Sequence, residues 1–320
     1  MRPGAKLAAY SAVLVAVLGG GAAVGGAVGP IDTESDDPPT HQEEHVAADA
    51  AETDDTGDTG GHGDDDAHTE EQAMPGGTLI ADQGYRIDAD DTTLDTTSPA
   101  PFAFRIVGPD GTPVEDFVTA HEKELHLVVV GTDLGTYAHL HPERDSDGTW
   151  STDLPALAPG TYRAFADFAV TDGPELTLGV DLTIPGATTV APLPEPSRTA
   201  VVDGYEVTLS GDPTAGADTE VELTVARDGE PVTDLEPYLG AFGHLVAIRG
   251  GDLAYLHVHP LGDEPHDDDR GGPAVRFALQ VPSAGEYRLF FDFAHGGEVH
   301  TAAFTVAVPD GPGGPDGGAS

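Results

Sequence analysis

One segment occurs twice in this sequence, and the repeat constrains the fold more than any other feature. Both copies begin with His-Leu-Val and close with Tyr-x-His-x-His-Pro, at residues 126–142 and 244–260. The alignment continues upstream through Asp-Gly-x-Pro-Val, at 110–114 and 228–232, and downstream through Tyr-Arg-x-Phe-x-Asp-Phe, at 162–168 and 287–293. The chain is therefore predicted to contain two copies of one domain.

The repeat also predicts the organisation of the chain. Each copy has about the length of an immunoglobulin-like domain, roughly 100 residues. A proline-rich joint separates the copies and is expected to be fairly stiff, so limited proteolysis near 190–198 should cut between them. The predicted segments are a signal peptide or membrane anchor (1–30), an acidic linker (31–77), repeat one (78–185), the proline-rich joint (186–197), repeat two (198–309) and a Gly/Pro tail (310–320).

The pattern of apolar residues predicts an all-β fold. Short strand-like runs are interrupted at close intervals by Gly, Pro and Asp, which favours a sandwich or a barrel. No long stretch between helix caps shows helical periodicity. The repeated Tyr-Arg-x-Phe-x-Asp-Phe is typical of a buried central strand, with its aromatic residues in the core. We expect two tandem immunoglobulin-like β-sandwich domains.

The first 30 residues have the pattern of a targeting segment. Arg2 and Lys6 precede the uncharged run 7–29, which is rich in Ala, Val and Gly. Such a segment is either a cleaved secretory signal or, at roughly 20 apolar residues, a retained membrane anchor. Both alternatives place the folded part outside the cytoplasm, secreted or anchored by one helix. The chain has no cysteine, so disulfides and thiolate metal sites are excluded.

The next segment, 31–77, is rich in Asp and Glu and lacks Lys and Arg. It offers few apolar residues for burial, so we expect a disordered tether. Four histidines lie in it without a recurring ligand spacing: His41, His45, His62 and His68. We interpret them as incidental to a solvated spacer, with loose cation binding around 62–68 as the alternative.

Charge and motifs narrow the possible functions. A formal net charge of −44 repels nucleic acid and anionic headgroups, so nucleic acid is excluded as a partner. Cations and basic proteins remain possible partners. The sequence has no nucleophile elbow, no His-Glu-x-x-His and no phosphate loop, so a non-enzymatic protein is predicted.

The repeated histidines are the candidate chemical site. Residues i and i+2 of a strand share a face, so each His-x-His places two imidazoles side by side. A hairpin turn near Asp133 and Leu134 would bring His126 opposite His141. This register is an assumption, because a slip by one residue would move His126 to the other face.

The same register in repeat two places His244 opposite His259, next to His257. Convergent imidazoles suit Cu(II) or Zn(II). Further histidines, His266, His295 and His300, make repeat two the expected tighter binder, whereas repeat one adds His121. The predicted metal ligands are His126, His139, His141, His244, His257, His259 and His300. The alternative is structural: histidines before prolines often close strands, and duplicated domains repeat their structural residues too.

These motifs resemble a known group of domains. The His-Leu-Val strand, Tyr-x-His-x-His-Pro and Tyr-Arg-x-Phe-x-Asp-Phe are similar to the YtkA-like and FixH-like immunoglobulin-fold group, and more loosely to the CopC-type copper-resistance β-barrel. The resemblance covers both repeats. It implies cupredoxin/CopC-like β-sandwiches, copper or heavy-metal handling at the cell envelope, and a membrane metal transporter or efflux component as a partner.

Two functions follow from the sequence. The first is an extracytoplasmic protein that binds or handles copper or zinc through its paired His-x-His strands. The alternative is a non-enzymatic cell-surface interaction module built from two immunoglobulin-like domains. A third class, hydrolysis at a three-histidine metal site, lacks any sequence feature that specifies a substrate.

Overall fold

The structure is a computed structural model that describes residues 75–95, 99–256 and 258–310. These residues all lie within one compact unit that spans 69–320. The predicted signal or anchor segment, most of the acidic linker, His257 and the tail from residue 311 lie outside the described residues.

No helix among the described residues is long and apolar enough to cross a membrane.

Repeat one folds into two antiparallel sheets that face each other. One sheet has the strand order β1-β2-β3-β7-β6 and the other has the order β5-β4-β8-β9. The strands are β1 (Ala81–Asp82), β2 (Tyr85–Ala89), β3 (Ala100–Val107), β4 (Leu125–Gly131), β5 (Tyr137–Leu140), β6 (Glu143–Arg144), β7 (Thr149–Leu154), β8 (Gly160–Ala169) and β9 (Glu175–Ile184).

Repeat two has the same two-sheet arrangement. The first sheet has the order β10-β11-β12-β17-β16, with β13 paired to β12, and the second has the order β15-β14-β18-β19. The strands are β10 (Thr199–Val202), β11 (Tyr205–Ser210), β12 (Asp218–Arg227), β13 (Glu230–Pro231), β14 (His244–Arg249), β15 (Tyr255–Leu256), β16 (His259–Leu261), β17 (Ala274–Gln280), β18 (Gly285–His295) and β19 (Glu298–Val308).

The prediction of an all-β fold with two immunoglobulin-like sandwiches is confirmed. Strand alternation explains the core of each sandwich, because every second side chain points between its two sheets. On β3, Phe102, Phe104 and Ile106 are buried at 1%, 0% and 0% exposure. Burying each such side chain contributes about 1.5–3 kcal/mol. Val221 and Leu223 of β12 play the same part in repeat two.

A third apolar core lies between the repeats. On β4, Leu127 and Val129 face the core of repeat one, whereas Val128 and Val130 face outward and are also fully buried. They belong to a cluster with Val246, Ile248 and Phe290 of repeat two. The central strands are therefore apolar on both faces because both faces are covered.

The contacts in this third core are reciprocal. The ring of Tyr137 in repeat one stacks on Phe290 of repeat two, with centroids 4.2 Å apart and planes at 10°. The equivalent Tyr255 of repeat two approaches Phe165 of repeat one at 5.4 Å. Leu193 from the proline-rich joint packs against the same cluster. The two sandwiches thus dock through equivalent sheets.

The end of the linker ties the repeats together. The Gly77 amide donates to the Thr177 carbonyl on β9 at 2.8 Å, and the Tyr255 amide of β15 donates to the Gly76 carbonyl at 2.9 Å. Gly77 has a φ of +73°, and a Cβ there would lie 2.3 Å from the Phe165 ring. Glycine is therefore required where this segment crosses the third core.

Candidate metal centre

The hairpin of β4 and β5 sets the histidine register of repeat one. Its turn is closed by the Leu134 amide, which donates to the Gly131 carbonyl at 2.8 Å. Val128 pairs with His139, and the same register carries His126 opposite His141. The prediction that His126 shares a face with His139 and His141 is confirmed.

These three imidazoles converge. Each offers one nitrogen, and the three nitrogens lie within 4.8 Å of one another. Nδ1 of His126 is 3.1 Å from Nε2 of His139, and the rings of His139 and His141 have centroids 4.8 Å apart. Two nitrogens bound tetrahedrally to one zinc ion, each at 2.0–2.1 Å, are about 3.3 Å apart. The His126–His139 pair has this spacing, whereas nitrogens of the triad that lie up to 4.8 Å apart must move closer to share one ion.

Hydrogen bonds on the far side of two rings direct their lone pairs toward each other. His139 Nδ1 donates to the Asp292 carboxylate at 3.0 Å, which leaves Nε2 as an acceptor in the neutral ring. His126 Nε2 donates to the Ala120 carbonyl at 3.3 Å, which leaves Nδ1 as an acceptor. These two nitrogens lie 3.1 Å apart, within hydrogen-bond distance, so either a shared proton or a metal ion satisfies both. A carboxylate or carbonyl behind the ring is the usual support for a metal-bound histidine.

The third histidine has an unsatisfied nitrogen. Nε2 of His141 is buried and makes no hydrogen bond within the described residues. Leaving a buried polar atom unpaired costs about 1–3 kcal/mol. A metal ion bound at Nε2 would remove that cost.

The protonation states also suit metal binding. Burial, followed by the neighbouring His139, lowers the pKa of His126 to about 4. Burial, followed by His139 and His126, lowers the pKa of His141 to about 3. Both rings are therefore neutral at neutral pH, and neutral imidazole is the form that binds metals.

Repeat two contributes a further histidine to this cluster. The ring of His244, at the start of β14, lies 6.2 Å from His139 and 6.5 Å from His126 between centroids. Its Nε2 donates to the Tyr238 carbonyl at 2.8 Å. Burial, opposed in part by that hydrogen bond, lowers its pKa to about 4. His121 lies 5.2 Å from His244 and joins the same group.

The sequence did not single out Asp292, which lies at the centre of the polar contacts. It is 2% exposed on β18 and accepts hydrogen bonds from His139, from the Tyr137 hydroxyl at 2.9 Å and from the Thr301 hydroxyl at 2.5 Å. The repeat contained a sign of this role, because Asp167 and Asp292 occupy the same position among the apolar residues that follow Tyr-Arg. A buried carboxylate requires polar partners.

Repeat two does not form an equivalent triad among the described residues. Its strand β15 ends at Leu256, and His259 begins β16, where it pairs with Ala278 in the other sheet and is exposed. The prediction that His259 shares a face with His244 is therefore wrong, because the chain crosses between sheets before reaching His259. His257 lies outside the described residues. The expectation that repeat two is the tighter binder loses its geometric basis.

The remaining predicted ligand, His300, lies elsewhere. On β19 its Nδ1 donates to Asp203 at 2.9 Å, and its ring packs 4.6 Å from that of Tyr205. His295 bonds to the Tyr205 hydroxyl at 2.7 Å and to Asp234 at 3.1 Å. These contacts form a separate polar network at one end of repeat two.

Comparison with protein families gives a family for the chain. A family described as a domain of unknown function, DUF8832, matches residues 80–186 and again residues 200–310. The chain belongs to this family. Each sandwich is one DUF8832 domain, and the histidine cluster lies where the two domains meet. No curated protein matches the sequence.

Solved structures with a similar fold include bacterial adhesins and an integrin-binding protein. The Escherichia coli adhesin FdeC is 14% identical, with a TM-score of 0.25 over 72% of this chain and 66% of that chain. Invasin, a bacterial integrin-binding protein, is 13% identical, with a TM-score of 0.21 over 71% of this chain and 39% of that chain. The Yersinia pseudotuberculosis adhesin InvE is 12% identical, with a TM-score of 0.23 over 72% and 61%. The tandem DUF8832 chain thus spans less than two thirds of each.

Proposed function

We propose that this protein is a non-enzymatic, extracytoplasmic transition-metal-binding protein. The ion is held by His126, His139 and His141 where the two DUF8832 domains meet. The observation that carries the proposal is the 3.1 Å approach of two ring nitrogens, each on a ring whose other nitrogen bonds to Asp292 or to the Ala120 carbonyl. The buried, unbonded Nε2 of His141 supports it.

The donor set favours Zn(II) or Cu(II). All three ligands are imidazoles, which suit both ions. The chain has no cysteine and two methionines, so the soft sulfur ligands that favour Cu(I) are scarce. The net charge of −44 raises the local concentration of cations. Delivery to or from a membrane metal transporter is the handling role that fits the signal or anchor segment at 1–30.

A metal titration of the full chain tests this proposal. Zn(II) and Cu(II) are titrated against a competing chelator at about 0.5 M NaCl, which screens loose binding to exposed carboxylates. The wild type is compared with the His126→Ala/His139→Ala double variant and with His300→Ala, whose ring lies in the separate network. The double variant should lose the tight site, and His300→Ala should keep it.

An interaction module is the second candidate function. The observation that favours it is the third core, in which Tyr137 and Phe290 join the domains into one body, since such a pair can present loops in a fixed arrangement. In that case the histidines contribute to domain docking alone. Identical titrations of the double variant and the wild type would favour this function and overturn the metal proposal.

A further inference from the structure

We infer that the bound metal ion also clamps the two DUF8832 domains together, with His244 as a fourth ligand and Asp292 as a positioning residue. The inference rests on the proposed metal site in repeat one. It adds that repeat two completes the site, so that metal binding and domain docking are coupled.

His244 is placed to reach an ion held by the triad. When two imidazole nitrogens bind one ion at 2.0–2.1 Å, their ring centroids are about 5 Å apart at a tetrahedral angle. The centroids are about 6.3 Å apart when the two rings lie on opposite sides of the ion. The ring centroid of His244 lies 6.2 Å from that of His139 and 6.5 Å from that of His126. To lie at a tetrahedral angle to both rings, the His244 ring would have to move about 1–1.5 Å closer to each. Because Nε2 donates to the Tyr238 carbonyl, Nδ1 is the nitrogen that would bind.

The hydrogen bond to Tyr238 is also the right kind of support. In repeat one, His126 donates to the carbonyl of Ala120, and in repeat two His244 donates to the carbonyl of Tyr238. Both histidines occupy the same position of the repeated His-Leu-Val segment. Each therefore has a fixed tautomer and a ring orientation set by its own domain, as metal-bound histidines do.

Asp292 connects the domains through the ligand His139. The carboxylate belongs to β18 of repeat two, whereas His139 and Tyr137, which both donate to it, belong to β5 of repeat one. The side chains of His139 and Asp292 are 7% and 3% exposed, so solvent screens this contact little. Undocking would remove the carboxylate that holds the His139 ring in its binding orientation.

Reciprocity follows from this arrangement. An ion that contacts both domains binds the docked state more tightly than the separated state. Docking therefore raises the metal affinity by a certain factor, and the bound metal shifts the docking equilibrium by the same factor. Opening of the domain interface is thus a route for metal release.

The test uses the full chain, one equivalent of Zn(II), and the variants His244→Ala, His244→Gln and Asp292→Asn. X-ray absorption at the zinc edge counts the imidazoles, and chelator competition gives the affinity. The wild type should show four imidazoles, and both His244 variants should show three, with affinity at least tenfold weaker. Asp292→Asn should keep four imidazoles with affinity weakened about 10- to 100-fold. His300→Ala, whose ring lies in the separate polar network, is the control, and its affinity should change less than threefold.

Domain docking is measured separately. Since the chain has no cysteine, Ser151→Cys and Ser210→Cys, on exposed positions of the outer sheets, carry a pair of spin labels. Zinc should narrow their distance distribution in the wild type and leave it unchanged in the His244 variants. Three imidazoles in the wild type, or unchanged affinity in both His244 variants, would overturn the clamp while the triad stands. Failure of the proposed function looks different: zinc would then bind equally to wild type and to His126→Ala/His139→Ala.

Discussion

The same Tyr-x-His-x-His-Pro motif follows different paths in the two domains. In repeat one, β5 stays beside β4 as far as Leu140, so His139 and His141 lie next to His126. In repeat two, β15 leaves β14 after Leu256, and His259 pairs with the opposite sheet. The point at which a strand crosses between sheets therefore decides whether the motif forms a cluster.

Two structural features accompany this difference in the path of the motif. In repeat one the connection to the next long strand covers residues 145–148, whereas in repeat two it covers 262–273 and includes the acidic insertion. The end of the linker pairs with repeat two through a bridge between Gly76 and Tyr255. Repeat one thus keeps three histidines on one sheet, and repeat two contributes His244 and Asp292 to them.

The largest expected loss of stability comes from disrupting the third core, which joins the two domains. Phe290→Ala removes the ring that stacks on Tyr137, and truncating a buried phenylalanine costs about 3–5 kcal/mol. Calorimetry of the metal-free protein should then show two unfolding transitions in place of one, because the domains lose their shared core. A single transition with a loss below about 1 kcal/mol would contradict the docking of the domains.

The next prediction compares the loss of Zn(II) affinity on substituting equivalent histidines of the two motifs. His141→Ala should weaken Zn(II) binding at least about 100-fold, since losing a ligand costs no less than losing a residue that supports one. His259→Ala, at the equivalent but exposed position, should stay within about twofold of the wild type. Chelator competition on the full chain measures both. Equal affinities for the two variants would show that the difference in path has no consequence for metal binding.

Two glycine substitutions test whether the end of the linker packs on the third core. Gly77→Ala introduces a Cβ 2.3 Å from the Phe165 ring at a φ of +73°, whereas Gly204→Ala, at +84°, meets nothing within 4 Å. Left-handed strain costs each variant about 1–2 kcal/mol, and the clash adds about 1–3 kcal/mol at Gly77. Denaturant unfolding should show the larger loss for Gly77→Ala. Similar losses would mean that the linker end does not pack on the third core.

The last comparison concerns the pH dependence of the metal-free protein. The pKa values of His126 and His244 are lowered to about 4 in the folded state, against about 6.5 when unfolded. The unfolded state therefore binds more protons between these values, so stability is lost as pH falls from about 6.5 through about 4, by up to about 1.4 kcal/mol per pH unit for each histidine. His244→Gln should reduce this slope. A slope unaffected by His244→Gln would show that this ring is not buried in a neutral state.

Much of the fold followed from the sequence, because the alternation of Val and Leu on β4 and the turn at Leu134 fix both the strands and their register in repeat one. The docking of the domains did not follow, since outward apolar residues such as Val128 and Phe165 have the same sequence pattern as the core of one sandwich. The role of Asp292 depends on that docking. The motif also did not predict that the chain of repeat two crosses to the other sheet after Leu256, because both motifs have the same residues at every ligand position.

The most direct test of the central claim is anomalous diffraction at the zinc edge from crystals of the zinc-loaded full chain. We expect one strong peak among His126, His139 and His141, within about 2.0–2.1 Å of a nitrogen of each ring, with His244 bound to the same ion. A peak at His295 and His300 or in the acidic linker, with none in the triad, would contradict it.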